Sequence, residues 1–173
     1  MEKILWLDME MTGLDVAKER VIEVAMIITD IHFNELATYH SVIKQPQEFI
    51  DNMDDWNREH HSANGLLSKI PNGKDQRSVE NEMCMILDQQ FKGESAVLAG
   101  NTISQDRIFI RKYFPVFDSK LHYRMLDVTS WKLIFKNRLN IEFGKENTHR
   151  ALDDIKESIK ELQFYLEHIQ VST

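Results

Sequence analysis

The sequence predicts a mixed α/β domain, and three observations lead to that prediction. The first third consists of three apolar segments with short connections, which is typical of β-strands, and the middle repeats apolar residues about every 3.6 positions, as helices do. The chain of 173 residues is long enough to bury one substantial core, and no linker rich in Pro or Gly divides it. We therefore expect residues 1–173 to form a single domain.

The expected elements are three strands followed by alternating helices and strands. Short connections between the first three strands favour a β-meander. The strands are expected over residues 3–9, 20–30, 34–44, 95–101 and 121–128. The helices are expected over residues 54–70, 78–91, 104–114, 129–136 and 150–168.

Composition and charge narrow the possible functions. The formal net charge of −7 argues against a broad basic surface, so long nucleic acid is not expected as the main substrate, whereas a short anionic substrate fits. The sequence has neither a signal peptide nor an apolar run of about 20 residues, so we expect no membrane partner. The single cysteine, Cys84, is expected to be a buried core thiol, which is compatible with a cytoplasmic location.

Two acids interrupt the apolar opening strand in ILWLDMEMTGLD, from Ile4 to Asp15. With a period of two, Asp8 and Glu10 point to the same face, and their backbones lie only ~7 Å apart. Carboxylates that share a packed face repel each other and lose hydration, so they persist only where a cation or a proton compensates them. The strand therefore predicts a cationic partner.

Two further acids lie on or beside apolar helix faces. At about 100° per residue, Asp106 lies in the middle of the apolar stripe of its helix. In the last helix Asp154 lies about 110° from the centre of the buried face and Asp153 about 150°, so Asp154 borders the core. With Asp8 and Glu10, these acids form a hard oxygen donor set that favours Mg²⁺ or Mn²⁺ over zinc.

The candidate general base is His149. Two divalent ions about 3.5 to 4 Å apart support displacement at a phosphodiester, and a neighbouring histidine can take the proton of the attacking water. Helical phase brings His149 towards Asp154 only if it lies in the loop before the helix or in an irregular first turn. On the residues alone, a surface or capping histidine remains the alternative.

Four blocks in order, DMEMTGLD, GNTISQDRIFIRKYFP, HYRMLDVTS and THRALDDIKESIKEL, resemble the oligoribonucleases of the DEDD exonuclease superfamily, in its histidine-containing branch. The resemblance implies an RNase H-like mixed sheet flanked by helices, a homodimer, and 3′→5′ removal of nucleoside 5′-monophosphates from RNA of two to about five nucleotides. It also implies two Mg²⁺ or Mn²⁺ ions with His149 as the base. The implied metal ligands are Asp8, Glu10, Asp106 and Asp154.

The resemblance also implies contacts to the substrate. Leu14 and Trp56 match an apolar wedge and an aromatic platform for the bases, and His61 matches a substrate-side histidine. The residues that match a cap over the terminal 5′ phosphate are Thr102, Gln105, Tyr123, Arg124 and Thr129. Such a cap leaves no exit for a longer chain, which explains a preference for short RNA. The family commonly has Ser at the two threonine positions, and Thr keeps the hydroxyl.

Two other functions compete with this interpretation. An exonuclease acting on DNA ends would share the acids and the histidine, but the cap would obstruct long strands. A catalytically silent binding module would be favoured by the loss of an acid or of His149, and none of them is lost. Without the resemblance, Trp56 would also fit a side chain that covers the core.

Overall fold

A five-stranded mixed sheet organises the computed structural model, which describes residues 2–144 and 150–169. The strands are β1 Lys3–Met11, β2 Val21–Asp30, β3 Glu35–Val42, β4 Ala96–Gly100 and β5 Leu121–Asp127. Their order across the sheet is β3-β2-β1-β4-β5. The first three strands pair antiparallel, as the predicted meander requires, whereas β4 runs parallel to both β1 and β5.

Helices cover both faces of this sheet. They are α1 Gln47–Asp51, α2 Asp55–Ala63, α3 Gln76–Phe91, α4 Ser104–Tyr113, α5 Pro115–Asp118, α6 Val128–Ile134 and α7 Ala151–Glu167. A 3₁₀ turn, Ile70–Asn72, precedes α3, and a π-helical turn, Phe135–Leu139, continues α6. The α/β architecture predicted from the sequence is confirmed.

The central strands are buried on both sides because each face packs against a different set of helices. Leu5 and Leu7 of β1 belong to a core that includes residues of α3, α4 and α5. Ile4 and Trp6 point the other way, into a core formed with α6 and α7. The alternation of β1 therefore decides which core each of its side chains enters, including the two acids that follow Trp6.

The structure differs from the sequence prediction at one helix and adds two short ones. The helix expected over residues 54–70 ends at Ala63, because Asn64 caps it and Gly65 takes the left-handed conformation with φ +75°. The short helices α1 and α5, which follow Pro46 and begin at Pro115, were not predicted. Prolines are favoured at helix starts, and helices this short leave little periodicity to detect.

Two smaller expectations can be compared with the structure. Cys84 lies on α3 and points into the core, with 8% of its surface exposed, as predicted. Within residues 2–144 and 150–169, no helix is long and apolar enough to cross a lipid bilayer.

Candidate active site

Three carboxylates converge beside the central strand. Asp8 and Glu10 come from β1, and Asp154 comes from the first turn of α7. One carboxylate oxygen of each lies within 4.8 Å of the others, and all three side chains are half-buried. Asp153, the adjacent acid, faces solvent, as the helical phase predicts.

Asp106 approaches the same strand from the opposite helical layer. It lies in the first turn of α4 and is buried, with 7% of its surface exposed. Its Oδ1 accepts a hydrogen bond of 3.1 Å from the backbone N–H of Met9, the residue between Asp8 and Glu10. The structure therefore brings all four predicted acids to one stretch of β1.

The mutual repulsion of these acids is visible in their pKa values. Burial raises the pKa of Asp8 well above its usual range, and the charges of Asp106, Glu10 and Asp154 raise it further. The pKa of Glu10 is raised to about 8, first by burial and then by Asp154. Burial also raises the pKa of Asp106 to about 7. The raised pKa values mean that the charged carboxylates destabilise one another, and a bound cation would relieve this repulsion. Their oxygens suit a hard divalent metal ion.

One acid beside the cluster was missed in the sequence analysis. Glu23 of β2 lies directly opposite Glu10 in the antiparallel ladder and is completely buried. Although burial alone would raise its pKa, hydrogen bonds from His40 and Arg150 lower the pKa to about 2. The signal was present in RVIEVAMIITD, where a lone acid interrupts an apolar strand as Asp8 does in β1.

The side chains predicted to hold the bases lie beyond the end of β1. Leu14 is 74% exposed in the loop after β1, and Trp56 of α2 is 59% exposed, which contradicts the alternative in which Trp56 covers the core. Trp56 stacks on His60 with 4.0 Å between the ring centroids. His61 is instead buried, with Nδ1 3.9 Å from Glu10 Oε2. An exposed wedge and platform can stack on bases, whereas His61 contacts the acid cluster.

Gln105, a predicted phosphate contact, supports the wedge in this structure. Its Nε2 donates a hydrogen bond of 3.1 Å to the carbonyl oxygen of Leu14. Because Gln105 lies on α4, one residue before Asp106, it ties the Leu14 loop to the helix that carries a predicted metal ligand.

The two predicted cap threonines form a hydroxyl pair. Their Oγ1 atoms lie 3.1 Å apart, and the N–H of Thr102 donates to both Thr129 Oγ1 at 2.9 Å and Asp127 Oδ1 at 3.0 Å. Thr102 takes a left-handed backbone conformation with φ 51°, which is unusual for a β-branched residue. Both hydroxyls sit where β4 and β5 end, beside the start of α4 and α6.

The other two predicted cap residues lie elsewhere in the chain. Arg124 is three residues before Asp127, a distance of about 10 Å along a strand. It lines a cavity with Glu2 and Lys3 at the amino end of β1, whereas the acid cluster lies towards the other end. Tyr123 is 73% exposed on β5, at the edge of the sheet. A single copy of the chain therefore does not bring Tyr123 and Arg124 to the threonine pair.

The predicted base, His149, lies outside the described residues. The described chain resumes at Arg150, which caps α7 just before the helix that carries Asp154.

Comparisons with known proteins show the family to which this chain belongs. A family model described as an exonuclease, RNase_T, matches residues 5–162. The chain is 41% identical to the mitochondrial oligoribonuclease of Homo sapiens, over 97% of this chain and 73% of that protein. It is 42% identical to the oligoribonuclease of Haemophilus influenzae, over 96% of this chain and 94% of that protein.

Solved structures show the same fold in more distant proteins. Escherichia coli exonuclease I, in complex with a 5cy-dA13 oligonucleotide, superposes over 98% of this chain with a TM-score of 0.71 and 14% sequence identity. A second exonuclease I complex, with 5cy-dT13, gives a TM-score of 0.71 at 13% identity. This chain spans about two fifths of the length of the exonuclease I chains, so these matches describe the fold.

Proposed function

Since the chain belongs to the oligoribonucleases, within a wider family of exonucleases, we propose that it is a 3′→5′ exoribonuclease that degrades very short RNA to nucleoside 5′-monophosphates. Its substrates are RNAs of two to about five nucleotides, dinucleotides above all. The observation that carries this proposal is the convergence of Asp8, Glu10 and Asp154 within 4.8 Å of one another. Crowded oxygen donors of this kind suit metal-assisted hydrolysis of a phosphodiester.

The acids would hold two Mg²⁺ or Mn²⁺ ions. Asp8, Glu10 and Asp154 form the centre of this set, and Asp106 joins it from α4. When bound, such ions activate a water molecule and stabilise the charge on the leaving oxygen. The chain itself contributes the rigid strand and helices that keep the four carboxylates in place before a substrate arrives.

The remaining steps belong to other side chains. His149 would accept the proton of the attacking water, a role that a histidine performs well near neutral pH. Leu14 and Trp56, both exposed, would hold the bases of the last two nucleotides by apolar contact and stacking. Stacking tolerates every base, which fits an enzyme that must clear RNA fragments of any sequence.

A second copy of the chain would complete the cap over the 5′ phosphate. Thr102 and Thr129 offer hydroxyls beside the site, whereas Tyr123 and Arg124 lie along the outer edge of β5. Pairing two copies along this edge in a homodimer would cover exposed apolar surface and carry Arg124 of one copy towards the threonines of the other. The Arg guanidinium is well suited to bind a terminal phosphate.

Mixed dimers test this arrangement. Asp106→Asn alone should be nearly inactive on dinucleotides and Arg124→Ala alone slowed about tenfold or more. A mixture that exchanges subunits should be more active than either variant, because one site per mixed dimer has both residues. No recovery, in a mixture shown by native mass spectrometry to contain mixed dimers, would place Arg124 in the site of its own copy of the chain.

The activity itself is tested with a series of substrates. Release of mononucleotide is followed from a 5′-labelled ribodinucleotide, a ribopentanucleotide, and RNA and DNA strands of about twenty nucleotides. Each is assayed with Mg²⁺, with Mn²⁺ and with EDTA. We expect fast, metal-dependent cleavage of the shortest RNAs and almost none of the long strands. Preferential attack on the long DNA would mean that the acids are correctly assigned and that the substrate is wrong.

A cytoplasmic location is part of the same proposal. The single thiol, Cys84, is buried and free, which fits a reducing compartment. Fractionation of the cells that make this protein tests the location directly.

A further inference from the structure

A buried carboxylate that the proposed chemistry does not use lies next to the acid cluster. Glu23 is the cross-strand partner of Glu10 and has no exposed surface. A buried ion is costly unless the protein compensates it, so its partners indicate what it does.

Glu23 is compensated entirely from within the protein. Arg150 donates from Nη2 to Oε1 at 2.6 Å and from Nε to both Oε1 and Oε2, at 3.1 and 3.3 Å, and His40 Nε2 lies 2.7 Å from Oε1. The backbone N–H of Ala151 donates to Oε2 at 3.2 Å. A carboxylate offers about four acceptor positions, and these donors fill them. Glu23 is therefore not available as a metal ligand, although Glu10 lies opposite.

The donors show which part of the fold this carboxylate controls. Arg150 and Ala151 are the N-cap and the first residue of α7, and no side-chain hydrogen bond within the helix caps this end. A negative charge at a helix N-terminus is favourable, and here it comes from β2. The backbone N–H of Asp154 donates a hydrogen bond of 3.0 Å to the carbonyl oxygen of Arg150. The position of Arg150 therefore determines the position of Asp154, a predicted metal ligand.

We propose that Glu23 is a positioning residue, which fixes the first turn of α7 against the sheet and thereby sets Asp154 relative to Glu10. It acts through Arg150 and the Ala151 amide and touches neither metal nor substrate. This inference rests on the proposed metal-dependent function of the acid cluster.

The test measures metal binding apart from catalysis. Mn²⁺ is titrated calorimetrically into the metal-free protein and into Glu23→Gln, which keeps the size of the side chain but loses its charge. Loss of a group that orients a metal ligand commonly weakens metal affinity by about tenfold to hundredfold, and we expect a shift in this range. The Mn²⁺ concentration for half-maximal cleavage of a ribodinucleotide should rise in parallel. A smaller active fraction would lower the amplitude and leave this midpoint unchanged.

Arg150→Met is the second variant, and it keeps the test available if Glu23→Gln does not fold, because the Arg150 side chain is 22% exposed. The double variant should bind Mn²⁺ about as weakly as the worse single variant, since both changes break one contact. Additive losses would show that Glu23 does not act through Arg150.

The matched control is Glu161→Gln, another buried carboxylate, on the same helix. Glu161 accepts hydrogen bonds from Tyr165 at 2.9 Å and from Asn101 at 3.1 Å, away from the start of α7. We expect it to lower thermal stability while Mn²⁺ affinity stays within about twofold of the unchanged protein.

Two results would overturn the inference. Unchanged Mn²⁺ affinity in a folded Glu23→Gln would show a purely structural role, and an equal loss of affinity in Glu161→Gln would show that any loosening of α7 has this effect. The proposed function fails separately, if the unchanged protein binds Mn²⁺ but does not cleave short RNA.

Discussion

Glu10 and Glu23 are paired residues on the adjacent strands β1 and β2, and their pKa values are shifted in opposite directions. The pKa of Glu10 is raised to about 8, and the pKa of Glu23 is lowered to about 2. Burial pushes both values upward, so burial does not explain the difference. Glu23 is held by Arg150, His40 and a backbone amide, whereas Glu10 lies among other acids.

The comparison separates a structural acid from a functional one. A buried carboxylate with donors from the protein contributes to the fold, because its charge is compensated once the chain has folded. A cluster of carboxylates that raise one another's pKa values destabilises the charged fold until a cation arrives. Glu10 therefore belongs to the proposed metal site, and Glu23 to the structure that we propose supports it.

The largest expected effect comes from removing a charge on the functional side. Asp106→Asn keeps the size of the side chain and an oxygen that can still accept from the Met9 N–H, so the fold should survive. Turnover of a ribodinucleotide should fall by at least about a thousandfold, since several kcal/mol of charge stabilisation are lost. Asp153→Asn is the matched control, because Asp153 faces solvent one residue from Asp154. A fully active Asp106→Asn would remove the two-metal account.

The pH dependence of stability sharpens the comparison without any substrate. Glu10 has a folded pKa of about 8, above its ordinary value of 4.5, so the folded protein binds more protons than the unfolded chain between these values. The free energy of unfolding of the metal-free protein should therefore fall as the pH rises from about 5 to about 8. The shift of Glu23 is opposite, so its stabilisation is present above about 4.5 and is lost as the pH falls towards 2.

Urea unfolding at several pH values, with EDTA and with Mn²⁺, measures both trends. Added Mn²⁺ should restore stability most at pH 8, where the cluster is charged and metal binds the folded state preferentially. Glu10→Gln should flatten the upper trend and leave the lower one unchanged. If the metal-free protein became more stable towards pH 8, the cluster would not be a set of mutually repelling acids.

The contrast between Glu10 and Glu23 also explains which parts of the site could be predicted from the sequence. A period of two placed Asp8 and Glu10 on one face, and helical phase placed Asp154, not Asp153, beside the core, because both signals are local. The partners of Glu23 are not local, since Arg150 lies 127 positions away in the chain. A lone acid in an apolar strand was detectable, but whether it would meet a donor or another acid was not.

Non-local contacts limited the other predictions as well. Gln105 matched a phosphate contact by its place in a motif, yet its amide bonds to the carbonyl of Leu14, 91 positions earlier. Tyr123 and Arg124 stand close to Thr129 in the sequence, but an extended strand carries them away from it. Sequence proximity places residues together within a helix and separates them along a strand.

A smaller effect is expected at Arg124, which we propose binds the 5′ phosphate of the substrate. Arg124→Ala should slow cleavage of a ribodinucleotide about tenfold or more, because a charged hydrogen bond to its 5′ phosphate is lost. A ribopentanucleotide, whose 5′ phosphate lies farther from the cut bond, should be slowed less. Arg77→Ala, an exposed arginine on α3, changes the net charge equally and is the control. Equal losses on both substrates would argue against a phosphate cap.

The smallest expected effect concerns a residue that is well bonded and yet strained. The N–H of Thr102 is held by Thr129 and Asp127, and this fixes a φ of 51° that disfavours a β-branched side chain. Thr102→Ser keeps the hydroxyl and removes the branch, so it should raise the free energy of unfolding by up to about 1 kcal/mol, with dinucleotide cleavage changed less than about twofold. Thr129→Ser, made in a helix without strain, should give no such gain in urea unfolding. If both variants lose stability, the methyl group of Thr102 contributes more by packing than its backbone conformation costs. Thr102 would then resemble Glu23, which is explained by its hydrogen-bond partners and not by strain.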